Sequence, residues 1–268
     1  MPSGTGALHY HRECRMRETA VNSKTDVVER TRANVLGVGI DCLTMEESVA
    51  KMDAMIQSGD PHMVVTADSA GLVQAQDDDE LMTIYKTADL VTPDSIGVIW
   101  ALKRQGVKQS RVSGVEIVRE LCHLSAEKGY SMFLLGSEPG VAELAAEKLR
   151  MMHPGVNIVG TRHGYFPASD DAIVAEEVAK VNPDILFVAM GIPRQEKLIA
   201  RTQSIHKARV AVGVGGSLDV YSGRVKRAPA IIQKLHIEWL WRLISNPKKI
   251  SKAKNLPIFA MKVLKGGK

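Results

Sequence analysis

From residue 35 onward, short β-branched runs alternate with longer amphipathic segments, and this alternation constrains the fold more than any other feature. The runs that predict strands are residues 35–40, 63–66, 90–92, 131–135, 156–159, 185–190 and 209–214, and the clearest helical patterns between them are 44–57, 115–128, 141–152 and 171–181. Repeated strand–helix alternation favours a mostly parallel sheet, because each helix returns the chain to the same end of the sheet. We therefore predict an α/β, Rossmann-like fold with helices on both faces of the sheet.

The charge of the chain is divided unevenly along its length. Residues 226–268 contain eleven Lys and Arg against the single acid Glu238, a charge of +10. Residues 1–33 carry +2, so residues 34–225 carry −7 of the total of +5. This division predicts a poorly ordered leader over 1–33, a ligand-binding α/β domain over 34–225 and a helical basic C-terminal appendage over 226–268.

The appendage combines apolar, aromatic and basic residues. Residues 228–245 carry aliphatic side chains at helical spacing together with Trp239 and Trp241, and four lysines follow within residues 248–254. Such a pattern is typical of a helix that lies in the interface of an anionic membrane. A helix packed on the body explains it equally well, and both interpretations stay open. Exposure of the tryptophans would also be compatible with a homo-oligomer.

Several classes of protein are disfavoured by what the chain lacks. It has no apolar run of about 18 residues, which a membrane-spanning helix requires. The first 33 residues contain no apolar signal region, and the three cysteines, at 14, 42 and 122, have no metal-site spacing. We therefore expect a cytoplasmic protein, peripheral at the inner face of the cell membrane. An acidic body argues against nucleic acid as a partner.

Polar residues follow two of the predicted strands directly. Thr66 and Asp68 come after the strand 63–66, and Asp94 comes after the strand 90–92. Open α/β sheets bind ligands at the carboxyl ends of their strands, and a carboxylate there can act as a general base towards a sugar hydroxyl. Both aspartates could instead cap the helices that follow them.

Three further loops at strand ends carry glycine and polar residues. The residues in them that we expect to contact a ligand are Gly136, Gly140, Gln195, Glu196, Gly216 and Asp219. Glycines let a diphosphate approach helix N–H groups closely, and amide or carboxylate side chains can hydrogen-bond a sugar or ribose. Five such loops together predict a ligand crevice along one edge of the sheet.

Charged residues elsewhere in the chain bear on anion and metal binding. Arg111 lies near a strand edge, where a guanidinium could pair with diphosphate oxygens. The acids at 77–80 have the Asp-x-Asp spacing of many metal-dependent sugar-nucleotide enzymes, but they precede a helical run and are better explained as its cap. The eight histidines show no ligand spacing either. We expect no metal site.

Several of these motifs, in this order, resemble the WecG/TagA/CpsF family of glycosyltransferases. The residues that carry the resemblance are Thr66 and Asp68, residues 88–98 (ADLVTPDSIGV), 111–114 (RVSG), 133–136 (FLLG), 139–140 (PG), 164–166 (GYF), 191–196 (GIPRQE), 213–216 (GVGG) with Asp219, 227–229 (RAP) and 238–243 (EWLWRL). The match as a whole runs in order from about residue 35 to about residue 247.

The resemblance implies an inverting, metal-independent transferase with no cofactor. Its donor would be UDP-N-acetylmannosamine or a related UDP-sugar, and its acceptor undecaprenyl-diphosphate-N-acetylglucosamine, in teichoic acid or surface polysaccharide synthesis. The residues to which the family assigns roles are Asp94 as the base, Thr66 in the first loop, Tyr165, Gln195 and Asp219 around the nucleotide, and Arg227 and Arg242 over the diphosphate.

Two positions depart from the family pattern. Asp68 stands where the family usually has asparagine, and Ser95 stands where it has glycine after the aspartate. An added carboxylate changes both charge and hydrogen bonding beside a sugar, so the departures bear on the donor and the acceptor. The alternative to an enzyme is a non-catalytic module that senses a nucleotide or docks a partner in the same crevice. A Rossmann dehydrogenase is disfavoured because residues 37–41 lack the third glycine of its fingerprint.

Overall fold

The computed structural model describes residues 32–225 and 255–266. Its main sheet has six strands: β3 (His62–Ala67), β4 (Leu90–Pro93), β5 (Ser131–Gly136), β6 (Asn157–Arg162), β7 (Ile185–Ala189) and β8 (Val210–Gly213), after a hairpin of β1 (Arg32–Val35) and β2 (Val38–Asp41). The helices are α1 (Met45–Ser58), α2 (Ser69–Gln74), α3 (Asp79–Thr87), α4 (Ile96–Arg104), α5 (Gly114–Lys128), α6 (Val141–Met152), α7 (Asp171–Val181), α8 (Arg194–His206), α9 (Ser217–Tyr221) and α10 (Asn255–Leu264). A 3₁₀ turn, Ala168–Asp170, precedes α7.

The sheet is entirely parallel, with the order β4-β3-β8-β7-β5-β6. Successive side chains of a strand point to opposite faces, so each strand contributes to two cores. Val65 and Val91 belong to the core beneath α2, α3, α4, α7, α8 and α10, whereas Val64 and Leu90 belong to the core beneath α1, α5, α6 and α9. The predicted α/β fold with helices on both faces is confirmed.

The prediction of a single strand over residues 35–40 is wrong. The chain reverses at Leu36 and Gly37, which have φ values of 52° and 83°, and so forms an antiparallel hairpin outside the main sheet. Positive φ at both central residues is the geometry of the tight turn that matches strand twist, but Leu is a rare residue in it. The predicted leader boundary also needs correction, because Arg32 already lies in β1 and pairs with Asp41. Residues 1–31 lie outside the described residues.

The last helix, α10, packs on the body against α2 and α4. Phe259 is 1% exposed and belongs to the core on that face of the sheet. Residues 228–245, which allowed either a membrane helix or a packed helix, lie outside the described residues, as do Trp239 and Trp241. No helix among the described residues is long and apolar enough to cross a bilayer.

A buried histidine at the end of α8 makes stability depend on pH. Burial lowers the pKa of His206 from 6.5 to about 4, and its Nδ1 accepts a hydrogen bond from the Ala208 amide at 3.1 Å. Between pH 6.5 and about pH 4, His206 binds a proton in the unfolded chain but not in the folded protein. The free energy of unfolding should therefore fall as pH falls from 6.5 through 4, by up to about 3 kcal/mol from this group.

Denaturant unfolding at a series of pH values measures this effect, with His206→Gln as a polar variant that does not titrate. The wild-type curve should be steeper than the variant's over that window. If the free energy of unfolding depends on pH equally in the two proteins, His206 is not the source of the effect. A constant difference in stability between them would not change that conclusion.

Candidate functional site

A cavity of about 1030 Å³ opens at the carboxyl ends of β5, β6, β7 and β8. It is lined by Ser137, Glu138, Gly164, Tyr165, Phe166, Pro167, Ala189, Met190, Gly191, Arg194, Gly215, Gly216, Asp219, Arg224 and Val225. The connection after β5 runs outward to β6, and the one after β7 runs the other way to β8. The cavity therefore lies where the strand order reverses, which is where open α/β sheets bind ligands.

Glycines allow the loops behind this cavity to approach one another. Gly136 has a φ of 137°, and a Cβ on it would lie 2.7 Å from Ala189 Cα and closer still to the Ala189 carbonyl group. A Cβ on Gly164 would lie 3.0 Å from Gly136 Cα. The ends of β5 and β7 and the loop after β6 thus meet backbone to backbone. Gly140 begins α6 at the far end of the turn, away from the lining.

Gln195 and Glu196 lie behind the wall of the cavity. Gln195 is 1% exposed, and its Oε1 accepts hydrogen bonds from the amides of Gly191 and Gly215, both at 3.0 Å. Its Nε2 donates to Glu196 Oε1 at 2.8 Å. Contrary to the predicted contact with a ligand, both side chains are buried, and the hydrogen bonds of Gln195 join the loops after β7 and β8 and hold the shape of the wall.

A buried tyrosine, Tyr85, lies near the carboxylates of Glu196 and Asp68. Burial raises the pKa of Tyr85 well above its usual value, and the carboxylates of Glu196 and Asp68 add to the effect. The phenol contacts Gly71 so closely that a Cβ there could not be accommodated. Tyr85, on α3, therefore packs closely against α2, and no sequence pattern identifies it.

The Phe166 ring and the Arg194 guanidinium form one side of the cavity, and Arg162 also contacts the ring. The Arg194 guanidinium lies 5.3 Å from the centre of the Phe166 ring and Arg162 lies 5.6 Å from it, both within cation–π range. Asp171 holds Arg194 with two hydrogen bonds, and Glu177 pairs with Arg162. These contacts fix the Phe166 segment that carries its exposed neighbour Tyr165 into the cavity lining.

Asp219 and Gly216 reach the cavity from the short helix after β8. Both line it, and Asp219 lies in the first turn of α9. With Tyr165, they are the predicted binding residues that the structure brings together around one cavity. Arg227 and Arg242 lie outside the described residues.

Thr66 and Asp68 have structural partners at the end of β3. The Thr66 hydroxyl is buried and donates to the Gly213 carbonyl at 2.7 Å, so it joins β3 to β8 instead of projecting freely. Asp68 caps α2 and accepts a hydrogen bond from the Gly71 amide at 2.6 Å. The capping interpretation of Asp68 is confirmed.

Asp94 is half-buried at the carboxyl end of β4. Thr66 and Thr92 are register partners on neighbouring parallel strands, and the Asp94 amide donates to the Ala67 carbonyl at 2.9 Å. β8, whose carboxyl end borders the cavity, lies two strands from β4, so the strand that Asp94 follows is about 10 Å from β8 along the same edge of the sheet. The expected convergence of Asp94 and Thr66 on one edge is confirmed, although Asp94 is not in the cavity lining.

Ser95, not Asp94, caps the following helix. Ser95 Oγ accepts hydrogen bonds from the Val98 amide at 3.3 Å and from the Ser69 amide at 3.0 Å. The cap interpretation of Asp94 is therefore wrong. The backbone next to Arg111 lies close to the end of β4 in space, since its neighbour Val112 donates to the Pro93 carbonyl at 2.9 Å.

The acids at 77–80 behave as expected of a helix start. Asp78 caps α3, and ion pairs link Asp78 and Glu80 to Lys197 and Glu80 to Arg201. Within residues 32–225 and 255–266, no three His, Cys, Asp or Glu side chains gather closely enough to hold a metal ion.

Comparison with known proteins identifies the family and several relatives of this chain. A sequence model of the glycosyl transferase WecG/TagA/CpsF family matches residues 33–268. The N-acetylglucosaminyldiphosphoundecaprenol N-acetyl-beta-D-mannosaminyltransferase of Bacillus subtilis (strain 168) is 33% identical, and the match covers 84% of this chain and 85% of that protein. The protein of the same name from Staphylococcus aureus (strain MRSA252) is 32% identical over 87% of this chain and 92% of its own length. The relative from Bacillus spizizenii is 34% identical over 75% and 78%.

Proposed function

Because the chain belongs to the WecG/TagA/CpsF family and is a glycosyltransferase, we propose that it transfers N-acetylmannosamine from a UDP-sugar to N-acetylglucosaminyl-diphosphoundecaprenol. The polymer made from the product would be a teichoic acid or a related surface polysaccharide. The observation that carries the proposal is the position of a half-buried carboxylate, Asp94, on the same sheet edge as a large cavity.

The donor would bind with its nucleotide in the cavity. Tyr165 offers an exposed aromatic face for the uracil, and Asp219 and the Gly216 backbone offer hydrogen bonds to the nucleoside. From there the diphosphate and sugar would extend along the sheet edge past the end of β3, which is joined to β8 through Thr66. This orientation brings the anomeric carbon towards Asp94.

The reaction would be a single displacement that inverts the anomeric centre. Asp94 takes the proton from the acceptor hydroxyl while the hydroxyl oxygen forms a bond to the anomeric carbon and the bond to UDP breaks. The departing diphosphate carries negative charge. We assign the stabilisation of this charge to Arg227, Arg242 and Arg111 and to the N–H groups of the Gly136–Gly140 turn, with no metal ion. A non-catalytic nucleotide sensor in the same crevice is not favoured, because the family is one of transferases.

We also propose that the enzyme is peripheral at the inner face of the cell membrane. Helix α10 packs on α2 and α4, whose first turns flank Asp94, and it exposes Ile258, Met261 and Leu264 at helical spacing. The charge of +10 over residues 226–268 suits an anionic lipid surface, where each Lys or Arg contributes roughly 1 kcal/mol. A membrane on this side would present the lipid-linked acceptor to the Asp94 edge.

A transfer assay in vesicles tests the donor, the acceptor and the membrane surface together. UDP-N-acetylmannosamine, UDP-N-acetylglucosamine and UDP-glucose are offered with the lipid-linked acceptor in vesicles of phosphatidylglycerol or phosphatidylcholine. We expect transfer of N-acetylmannosamine, faster in the anionic vesicles by at least tenfold. UDP binding without transfer from any donor would support the sensor instead, and equal rates in both vesicles would remove the anionic surface from the proposal.

A further inference from the structure

The carboxylate of Glu138 draws together three segments at the mouth of the cavity. Glu138 follows β5, Tyr165 follows β6 and Arg224 follows α9, and all three line the cavity. The Tyr165 hydroxyl donates to Glu138 Oε1 at 3.4 Å, and the Arg224 guanidinium forms an ion pair with Glu138 Oε2. We call these three residues the Glu138 clasp.

The clasp is not what holds these segments in place. The side chains of Arg224 and Glu138 are 51% and 46% exposed, and exposed ion pairs contribute little to stability. Backbone hydrogen bonds already fix the segments: the Gly164 amide donates to the Ser137 carbonyl at 2.9 Å, and the Val225 amide donates to the Asp219 carbonyl at 3.0 Å. The ion pair can therefore open without disturbing the walls.

The other charged residues of the lining explain why the ion pair between Glu138 and Arg224 should open. Among the described residues that line the cavity, the charged ones are Glu138, Arg194, Asp219 and Arg224. Arg194 is committed to Asp171, whose side chain is only 10% exposed, and to the Phe166 ring. Arg224 is thus the cation of this set whose partner is exposed and exchangeable, while its guanidinium can pair with a diphosphate in a bidentate manner.

We propose that Arg224 binds the diphosphate of the donor, and that Glu138 occupies Arg224 in the empty site and competes with the donor for it. This inference rests on the proposed function, because the donor supplies the diphosphate. When the donor enters, the Glu138 carboxylate turns to solvent and the Arg224 guanidinium pairs with phosphate oxygens. Glu138 thereby sets the donor affinity without contacting the sugar.

Calorimetry with UDP, uridine and inorganic pyrophosphate tests the clasp. Arg224→Gln should weaken UDP and pyrophosphate binding about tenfold, because a charge-assisted pair is lost, and should leave uridine binding unchanged. Glu138→Gln should tighten UDP and pyrophosphate binding about threefold, again without effect on uridine. In the double variant the Glu138→Gln gain should vanish, since its target is no longer present.

The outcomes separate this inference from the donor assignment. If Glu138→Gln weakens UDP binding, or if both variants alter uridine and UDP binding alike, the clasp is a wall of the pocket and the inference is wrong. If the wild type binds UDP and the variants are unchanged, the donor site stands and Arg224 has no part in it. Pyrophosphate binding that depends on Arg224, without UDP binding, would support Arg224 and overturn the UDP-sugar donor.

Discussion

Replacement of Asp94 by Asn should lower the rate of sugar transfer by about 10²–10⁴-fold, because an amide cannot accept the proton of the acceptor hydroxyl. Affinity for UDP should hardly change, since Asp94 lies about two strands from the cavity. Helix α4 should keep its cap in this variant, because Ser95 and not Asp94 provides it. Initial rates of transfer, with calorimetry of UDP on the same samples, measure both quantities.

Asp68→Asn is the matched control for this variant. Asp68 follows the neighbouring strand β3, but its carboxylate caps α2, a role that Asn performs equally well. We expect the control to keep nearly full activity and stability. Near-normal transfer by Asp94→Asn would remove Asp94 from the role of base, and an equal loss in both variants would mean that the charge of this sheet edge, and not one base, is required.

Replacement of Gly136 by Ala should destabilise the protein by about 4 kcal/mol. A non-glycine residue at a φ of 137° is strained, and the added Cβ would press against the backbone of Ala189 on β7, which cannot move without breaking the sheet. The expected cost combines the strain with the overpacking. Equilibrium unfolding in urea measures it.

Gly140→Ala is the control for backbone conformation alone. Gly140 also has a positive φ, of 83°, but a Cβ there would meet nothing within 4 Å. Its cost should be about 1 kcal/mol. Should the two variants lose the same stability, close approach of β5 and β7 would not be the reason for glycine at 136.

Much of the fold could be predicted from local pattern. The bounds of α6 and α7 agree with the predicted residues 141–152 and 171–181, because apolar residues at helical spacing bury one face of each helix. The hairpin at Leu36 could not be predicted, because Leu at a positive φ carries no sequence signal. The order of the strands also required the structure, since periodicity does not say which strands pair.

Some features of the candidate site could likewise be predicted from the sequence, and others required the structure. Asp94 and Thr66 could be placed on one sheet edge because polar residues follow predicted parallel strands. The roles of Arg194 and Arg224 could not be predicted, although both lie in or beside the segments that resemble the family. Their partners, Asp171 and Glu138, are far away in the chain.

The succession of most strands and helices along the chain, and the polar residues at the strand ends, follow from residues that are near one another in the chain. Spacing and residue type are sufficient there, because these features depend on the local backbone. Whether Gln195 faces a ligand or joins two loops depends on the amides of Gly191 and Gly215, and the Gly215 amide belongs to a different strand end. Contacts between distant segments decide which polar groups are spent inside the protein and which remain for a substrate, and only the packed chain creates those contacts.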